Sequence, residues 1–133
     1  MTVHKKLLPA VVLATAMILM AHPSIQRTIQ ITNKLSSKIL IVHCASEDDD
    51  LGGRLVENGS NYEWSFVPDA FGWTVFRCNL TVEDKRLSFV TYDEGEYHKE
   101  LNFNYWVVHD DGVYGKVQAD SIGAGERFIR GWK

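Results

Sequence analysis

Between Thr28 and Val117 the apolar residues fall in short blocks at every second position, a period that suits extended strands and not helices. Tyr62-Glu63-Trp64-Ser65-Phe66 alternates cleanly, with three aromatics on one face. Residues 28–33 and 73–78 alternate in the same way, and residues 38–44 form a nearly continuous β-branched run of the kind found in well-buried strands. Further runs cover 87–92, 104–109 and 113–117. Asn58-Gly59 and Asp110-Asp111-Gly112 are turn signals, because glycine supplies positive φ without steric cost. There is no amphipathic helix and no repeat. Seven or eight short strands predict an all-β chain, a small antiparallel β-sandwich.

The first 26 residues follow a different logic. Lys5 and Lys6 precede an uncharged stretch, residues 7–21, and no acid occurs before Glu47. This is the shape of a secretory signal peptide, with cleavage expected between Ala21 and Gln26. The apolar stretch is shorter than the ~20 residues a membrane span needs, so no membrane insertion is expected after cleavage. The working protein is then one extracellular domain over residues 27–118 with a Gly-rich basic tail, residues 119–133, read as a loosely packed terminus. Residues 27–133 carry 12 Lys and Arg against 17 Asp and Glu, a formal charge of −5. A general nucleic-acid binder needs a basic face, so that class is excluded.

Two cysteines, Cys44 and Cys78, on a small domain in an oxidising compartment most simply form one disulfide. If Cys44 points inward, Leu40 and Val42 share its face; if Cys78 does, so do Thr74 and Phe76. Such a bond either ties one sheet to the other or pins two neighbouring strands, and the pattern leaves both open. Two sequons, Asn58-Gly59-Ser60 and Asn79-Leu80-Thr81, are glycosylation candidates. Asn58 is the favoured one, since Asn79 is crowded by Cys78.

Four landmarks in order carry a resemblance. They are the His43-Cys44-Ala45-Ser46-Glu47-Asp48-Asp49-Asp50-Leu51-Gly52 run, the aromatic strand at 62–66, Thr74-Val75-Phe76-Arg77-Cys78, and Trp106-Val107-Val108 followed by Asp111-Gly112-Val113-Tyr114. Together they resemble the plant self-incompatibility S-protein family, also called S-protein homologues. The resemblance implies a secreted β-sandwich acting as an extracellular ligand for a cell-surface receptor, in pollen rejection or other cell–cell signalling. Many members carry a second cysteine pair ahead of the closing Trp; residues 97–105 here contain none.

No motif selects chemistry. Glu47-Asp48-Asp49-Asp50 invites calcium, but counting from Asp48 the twelfth position is Gly59 and not a bidentate acid. His43 and Cys44 are adjacent on a strand, so their side chains diverge. No catalytic residue, metal ligand or cofactor is therefore assigned, and the chain is read as a monomeric ligand and not an enzyme. Its recognition residues are expected on loops: Glu47, Asp48, Asp49 and Asp50; Asn61; Asp69, Phe71 and Trp73; Asp93 and Glu94; Asp110 and Asp111. The alternative is a carbohydrate-binding module that uses Trp73 or Trp132, with Trp64 and Trp106 placed in the core.

Overall fold

The computed structural model describes residues 26–69, 73–97, 103–116 and 125–133. Nine strands make up this part of the chain: β1 Arg27–Asn33, β2 Leu40–Ala45, β3 Asp50–Val56, β4 Asn61–Phe66, β5 Val75–Val82, β6 Lys85–Asp93, β7 Tyr105–His109, β8 Gly112–Lys116 and β9 Arg127–Gly131. One helical turn, Glu94–Tyr97, follows β6. The strands form a five-stranded sheet, β4-β1-β7-β8-β9, and a four-stranded sheet, β3-β2-β5-β6. The all-β sandwich expected from the alternation is present, with nine strands in place of seven or eight. One pairing is not antiparallel: β1 runs parallel to β7, with Gln30 opposite Tyr105 and Asn33 opposite Val108. A parallel pair needs a long connection, and here residues 34–104, with five other strands, supply it.

The inward faces follow the alternation. Leu40, Val42 and Cys44 are buried on β2 while Ile41 and His43 face out. Phe76, Cys78, Leu80 and Val82 do the same on β5. Ile29, Ile31, Trp64, Phe66, Trp106 and Val108 come from the facing sheet into one cluster. Aromatic contacts join the two layers. Phe76 lies 4.8 Å from Phe66, Tyr92 is edge-on to Phe66 at 4.8 Å, and Phe89 is edge-on to Trp106 at 4.9 Å. Such pairs add about 0.5–1.5 kcal/mol each beyond the area they bury.

Cys44 and Cys78 are bonded and stand directly opposite each other on β2 and β5. The bond therefore pins two neighbouring strands of one sheet and does not tie the sheets together. Among the described residues Asn33, at the end of β1, is the only polar one with no exposure. Its amide donates to the carbonyls of Lys38 (2.8 Å) and Val56 (2.9 Å), and its carbonyl accepts from the Leu35 backbone at 2.8 Å. One residue thereby fixes where the chain leaves β1 for β2 and where β3 ends.

The two turn signals mark turns but work differently from a simple hairpin. At Asn58-Gly59, Ser60 N donates to Glu57 O at 2.9 Å and Gly59 has φ +83°. This turn passes the chain from β3 in one sheet to β4 in the other. At the second, His109 pairs with Gly112, so Asp110 and Asp111 are the turn residues. Gly112 is required for a different reason: a Cβ there would lie 2.1 Å from the carbonyl oxygen of Arg130 on β9. The described part of the tail, residues 125–133, is not a loose end. Residues 127–131 pair with β8, and Trp132 packs half-buried against the core, contrary to its expected exposure.

Candidate functional site

The topology divides the candidate recognition residues between opposite ends of the sandwich. Glu47 to Asp50, Asp69, Trp73, Asp93 and Glu94 cluster where β2 and β6 end and β5 begins. Asn61, Asp110 and Asp111 sit at the other end, with Asn58. Phe71 lies outside the described residues.

Several of these acids are occupied inside the fold. Asp50 accepts from Gly52 N at 2.9 Å and contacts His43 Nε2 at 2.6 Å. The Gly52 amide, then His43, holds its carboxyl below the ordinary aspartate value. Asp93 accepts from Gly95 N at 3.0 Å and so closes the helical turn. Glu94 takes a hydrogen bond from the Tyr92 hydroxyl and pairs with Arg27 at 3.9 Å, both partners mostly buried. It clamps the start of β1 to the end of β6. At the far end Asp110 accepts from Ser36 N at 2.9 Å and Ser36 Oγ at 2.5 Å. Ser36 therefore lowers its carboxyl's pKa. Asp111 accepts from the Tyr114 hydroxyl at 2.7 Å, which raises the pKa of that phenol. These side chains hold loops in place.

What remains open is concentrated at one place. Ser46 N donates to Asp49 O at 2.8 Å, and Asp49 N donates back to Ser46 Oγ at 3.1 Å. This reciprocal turn fixes the backbone of the 46–49 loop and consumes no carboxylate. Glu47 and Asp49 make no side-chain hydrogen bond or ion pair with any described residue. Across from them Trp73 is 76 % exposed. It is followed by the buried Thr74, whose hydroxyl accepts from Asp69 N at 2.7 Å and whose carbonyl accepts from Glu94 N at 2.9 Å. Glu47, Asp48, Asp49, Asp69 and Trp73 line one open depression of about 330 Å³. A second, of about 550 Å³, continues from Trp73 along the outer face past His43, Arg77 and Asn79.

The floor beneath is stiff. Ala45 and Arg77 are paired one step from the Cys44–Cys78 bond. Cys44 is buried and bonded while His43 faces solvent, so the pair forms no nucleophilic site. Among the described residues no group of three or more His, Cys, Asp or Glu side chains is arranged to hold a metal ion. None of the described helices is long and apolar enough to cross a membrane.

The sequence pattern missed Thr74 and Ser46, which set the two loops. The Ser46-x-x-Asp49 spacing was the available signal, since serine at such a position bonds the backbone three residues on.

Comparison with known proteins places the chain among relatives of one kind. The sequence profile described as plant self-incompatibility protein S1 matches residues 28–127. S-protein homolog 2 of Arabidopsis thaliana is 36% identical over 96 residues, covering 68% of this chain and 60% of the relative. S-protein homolog 21 of the same plant is 34% identical, covering 65% and 71%. Self-incompatibility protein S1 of Papaver rhoeas is 32% identical, covering 61% and 60%. The match thus spans about 60% of the length of two of these three relatives. No solved structure matches the chain.

Proposed function

The chain belongs to the plant self-incompatibility protein S1 family, and from that premise we propose that it is a secreted protein ligand recognised by a cell-surface receptor protein. The process is cell–cell signalling of the class that includes pollen rejection. The contact is made through the end of the sandwich that carries Glu47, Asp49 and Trp73. One observation carries this assignment. Of the loop acids named from the sequence, most are tied into the fold, whereas Glu47 and Asp49 have no side-chain partner among the described residues and face an exposed tryptophan across one depression.

Tryptophan is the residue type most enriched at binding hot spots, because a large rigid surface is desolvated at little entropic cost. Carboxylates at its edge with no partner among the described residues favour a partner that offers lysine or arginine, and the formal charge of −5 on residues 27–133 steers such a partner in. Loops on a disulfide-pinned sheet lose little freedom on binding. The ligand acts as a monomer, without cofactor or catalysis.

A carbohydrate-binding role is the second reading, and the exposed Trp73 is the one observation in its favour. Trp132 does not join it, since its indole N–H points at the His109 carbonyl, 3.4 Å away, beneath the tail.

The test is binding of the labelled secreted protein to intact plant cells and pollen tubes, with cytosolic calcium recorded. Saturable binding abolished by protease treatment of the cells supports the receptor reading. Binding abolished by glycosidase and spared by protease moves the assignment to the carbohydrate module. Absence of binding on every cell type sinks both.

A further inference from the structure

Asn79 sits in the middle of β5, on the outward face of the four-stranded sheet. It stands between His43 on β2 and Ser88 on β6, its partners in register on either side. Ser88 Oγ donates to Asn79 Oδ1 at 2.5 Å, which fixes the amide plane. The side-chain nitrogen has no hydrogen bond to any described residue, and Asn79 is exposed. Thr81, two residues on, lies on the same face of the strand, while Leu80 between them is buried in the core. The Asn-x-Thr triplet thus presents both of its functional side chains outward, with its middle residue locked in.

The other sequon is built the opposite way. The Asn58 nitrogen donates to the Leu35 carbonyl and helps close the loop above Asn33. A sugar on that nitrogen competes with this tie.

A second observation concerns what surrounds Asn79. Ile41 is 42 % exposed and stands opposite Leu55, which is 72 % exposed. Both lie on the outer side of the same sheet. Asn79 shares with Ile41, Gly53 and Thr81 an open depression of about 480 Å³. Exposed apolar pairs on a sheet face invite association unless something covers them.

We propose that Asn79 is the chain's N-glycan acceptor and that its first sugars lie over the Ile41–Leu55 patch. In the transfer, Asn79 Nδ2 displaces the pyrophosphate of a lipid-linked oligosaccharide from C1 of its terminal N-acetylglucosamine. The N–C1 bond forms, the C1–O bond breaks, and one amide proton is lost. No oxidant or reductant is needed. The inference rests on the secretion reading, since the transfer takes place in the secretory pathway. It also divides the surface: the face of β3-β2-β5-β6 around Asn79 carries sugar, and the Glu47–Trp73 end stays bare for protein.

The full chain, expressed in plant cells, is tested by glycopeptide mapping. Wild type carries a glycan on Asn79, Asn79→Gln and Thr81→Ala lose that mass, and Thr81→Ser and Asn58→Gln keep it. Removing the glycan from the folded wild type increases binding of an apolar-surface dye. A secreted chain with Asn79 bare, or modified only at Asn58, overturns the assignment and leaves secretion standing. A chain retained in the cytosol with residues 1–26 attached overturns both. Unchanged dye binding after deglycosylation overturns the covering role alone.

Discussion

Lys133 and Arg86 exchange backbone hydrogen bonds in both directions, Lys133 N to Arg86 O at 2.9 Å and Arg86 N to Lys133 O at 3.4 Å. The chain's last residue thereby joins β9 of the five-stranded sheet to β6 of the four-stranded one. Trp132, just before it, packs against the core beside that seam. Removal of residues 132–133 is expected to lower stability by roughly 2 kcal/mol, less than the 3–5 kcal/mol typical of a fully buried tryptophan. Urea denaturation of the truncated and intact proteins measures it, and an unchanged midpoint means the tail is loose after all.

Asn33 offers a sharper perturbation. Asn33→Ala leaves the Lys38 and Val56 carbonyls and the Leu35 amide without their partner. Each orphaned buried group costs about 1–3 kcal/mol, so a loss of about 3 kcal/mol or more is expected. The isosteric Asn33→Leu is no rescue, because shape is preserved and the hydrogen bonds are not. Denaturant midpoints for both variants decide the matter, and a loss under about 1 kcal/mol contradicts the hub role.

The Cys44–Cys78 bond closes a separation of 34 residues, for which chain entropy predicts roughly 3–4 kcal/mol. The double variant Cys44→Ala/Cys78→Ala is expected to lose about that much. It should retain its far-ultraviolet spectrum, because β2 and β5 are also paired from Ile41↔Thr81 to Ala45↔Arg77. Loss of all sheet signal at neutral pH would show that the staple is needed for the pairing itself.

Acid exposes a different weakness. Asp110 and Asp50 titrate below the ordinary aspartate value of 3.8, through their bonds to Ser36 and to Gly52 and His43 respectively. A carboxyl whose folded pKa is depressed adds stability above the unfolded value, and that stability is lost as pH falls through the folded one. Stability should therefore decline below about pH 4. Asp110→Asn should flatten part of this acid limb. Chemical denaturation from neutral pH to about pH 2 reads both effects, and an unaltered limb removes Asp110 from the account.

For recognition, Trp73→Ala should weaken receptor binding at least about tenfold, equivalent to ~1.4 kcal/mol. Glu47→Gln with Asp49→Asn should act in the same direction and more strongly at low salt. Asp111→Asn, at the far end, should leave affinity unchanged. Equal losses from both ends would mean that the contact surface is not at the Trp73 end. Melting temperatures of the same variants separate affinity from folding.

How much of this was legible in the chain depended on how local the cause was. Strands β1, β4, β5, β6, β7 and β8 announce themselves by alternation and β2 by its β-branched run, and which residues share a face with Cys44 and with Cys78 followed from strand parity. Strand β3 escaped notice because Gly52 and Gly53 interrupt its period, and Gly52 carries φ +76°. Strand β9 is exposed along most of its length and has no inward face to write a pattern; β8 holds it through backbone bonds, and Arg86 holds Lys133 just beyond it. The β5–β6 hairpin turns on Glu83 with φ 55°, where no glycine marks it. The acids were legible as loop residues. Which were already engaged, and which shared an end with Trp73, depended on partners distant in sequence, such as Ser36 for Asp110.

The parallel contact of β1 with β7 also sets an order of events. Arg27 opens the first of the described strands to be synthesised, yet β1 is an interior strand of its sheet and one of its two neighbours, β7, is made much later. The four-stranded half, whose strands lie next to one another in the chain but for β4, can close and acquire its sulfur bridge while β1 still waits. Contacts of such long range slow folding. A chain interrupted before Tyr105 would keep one half of the sandwich and lose the keystone of the other.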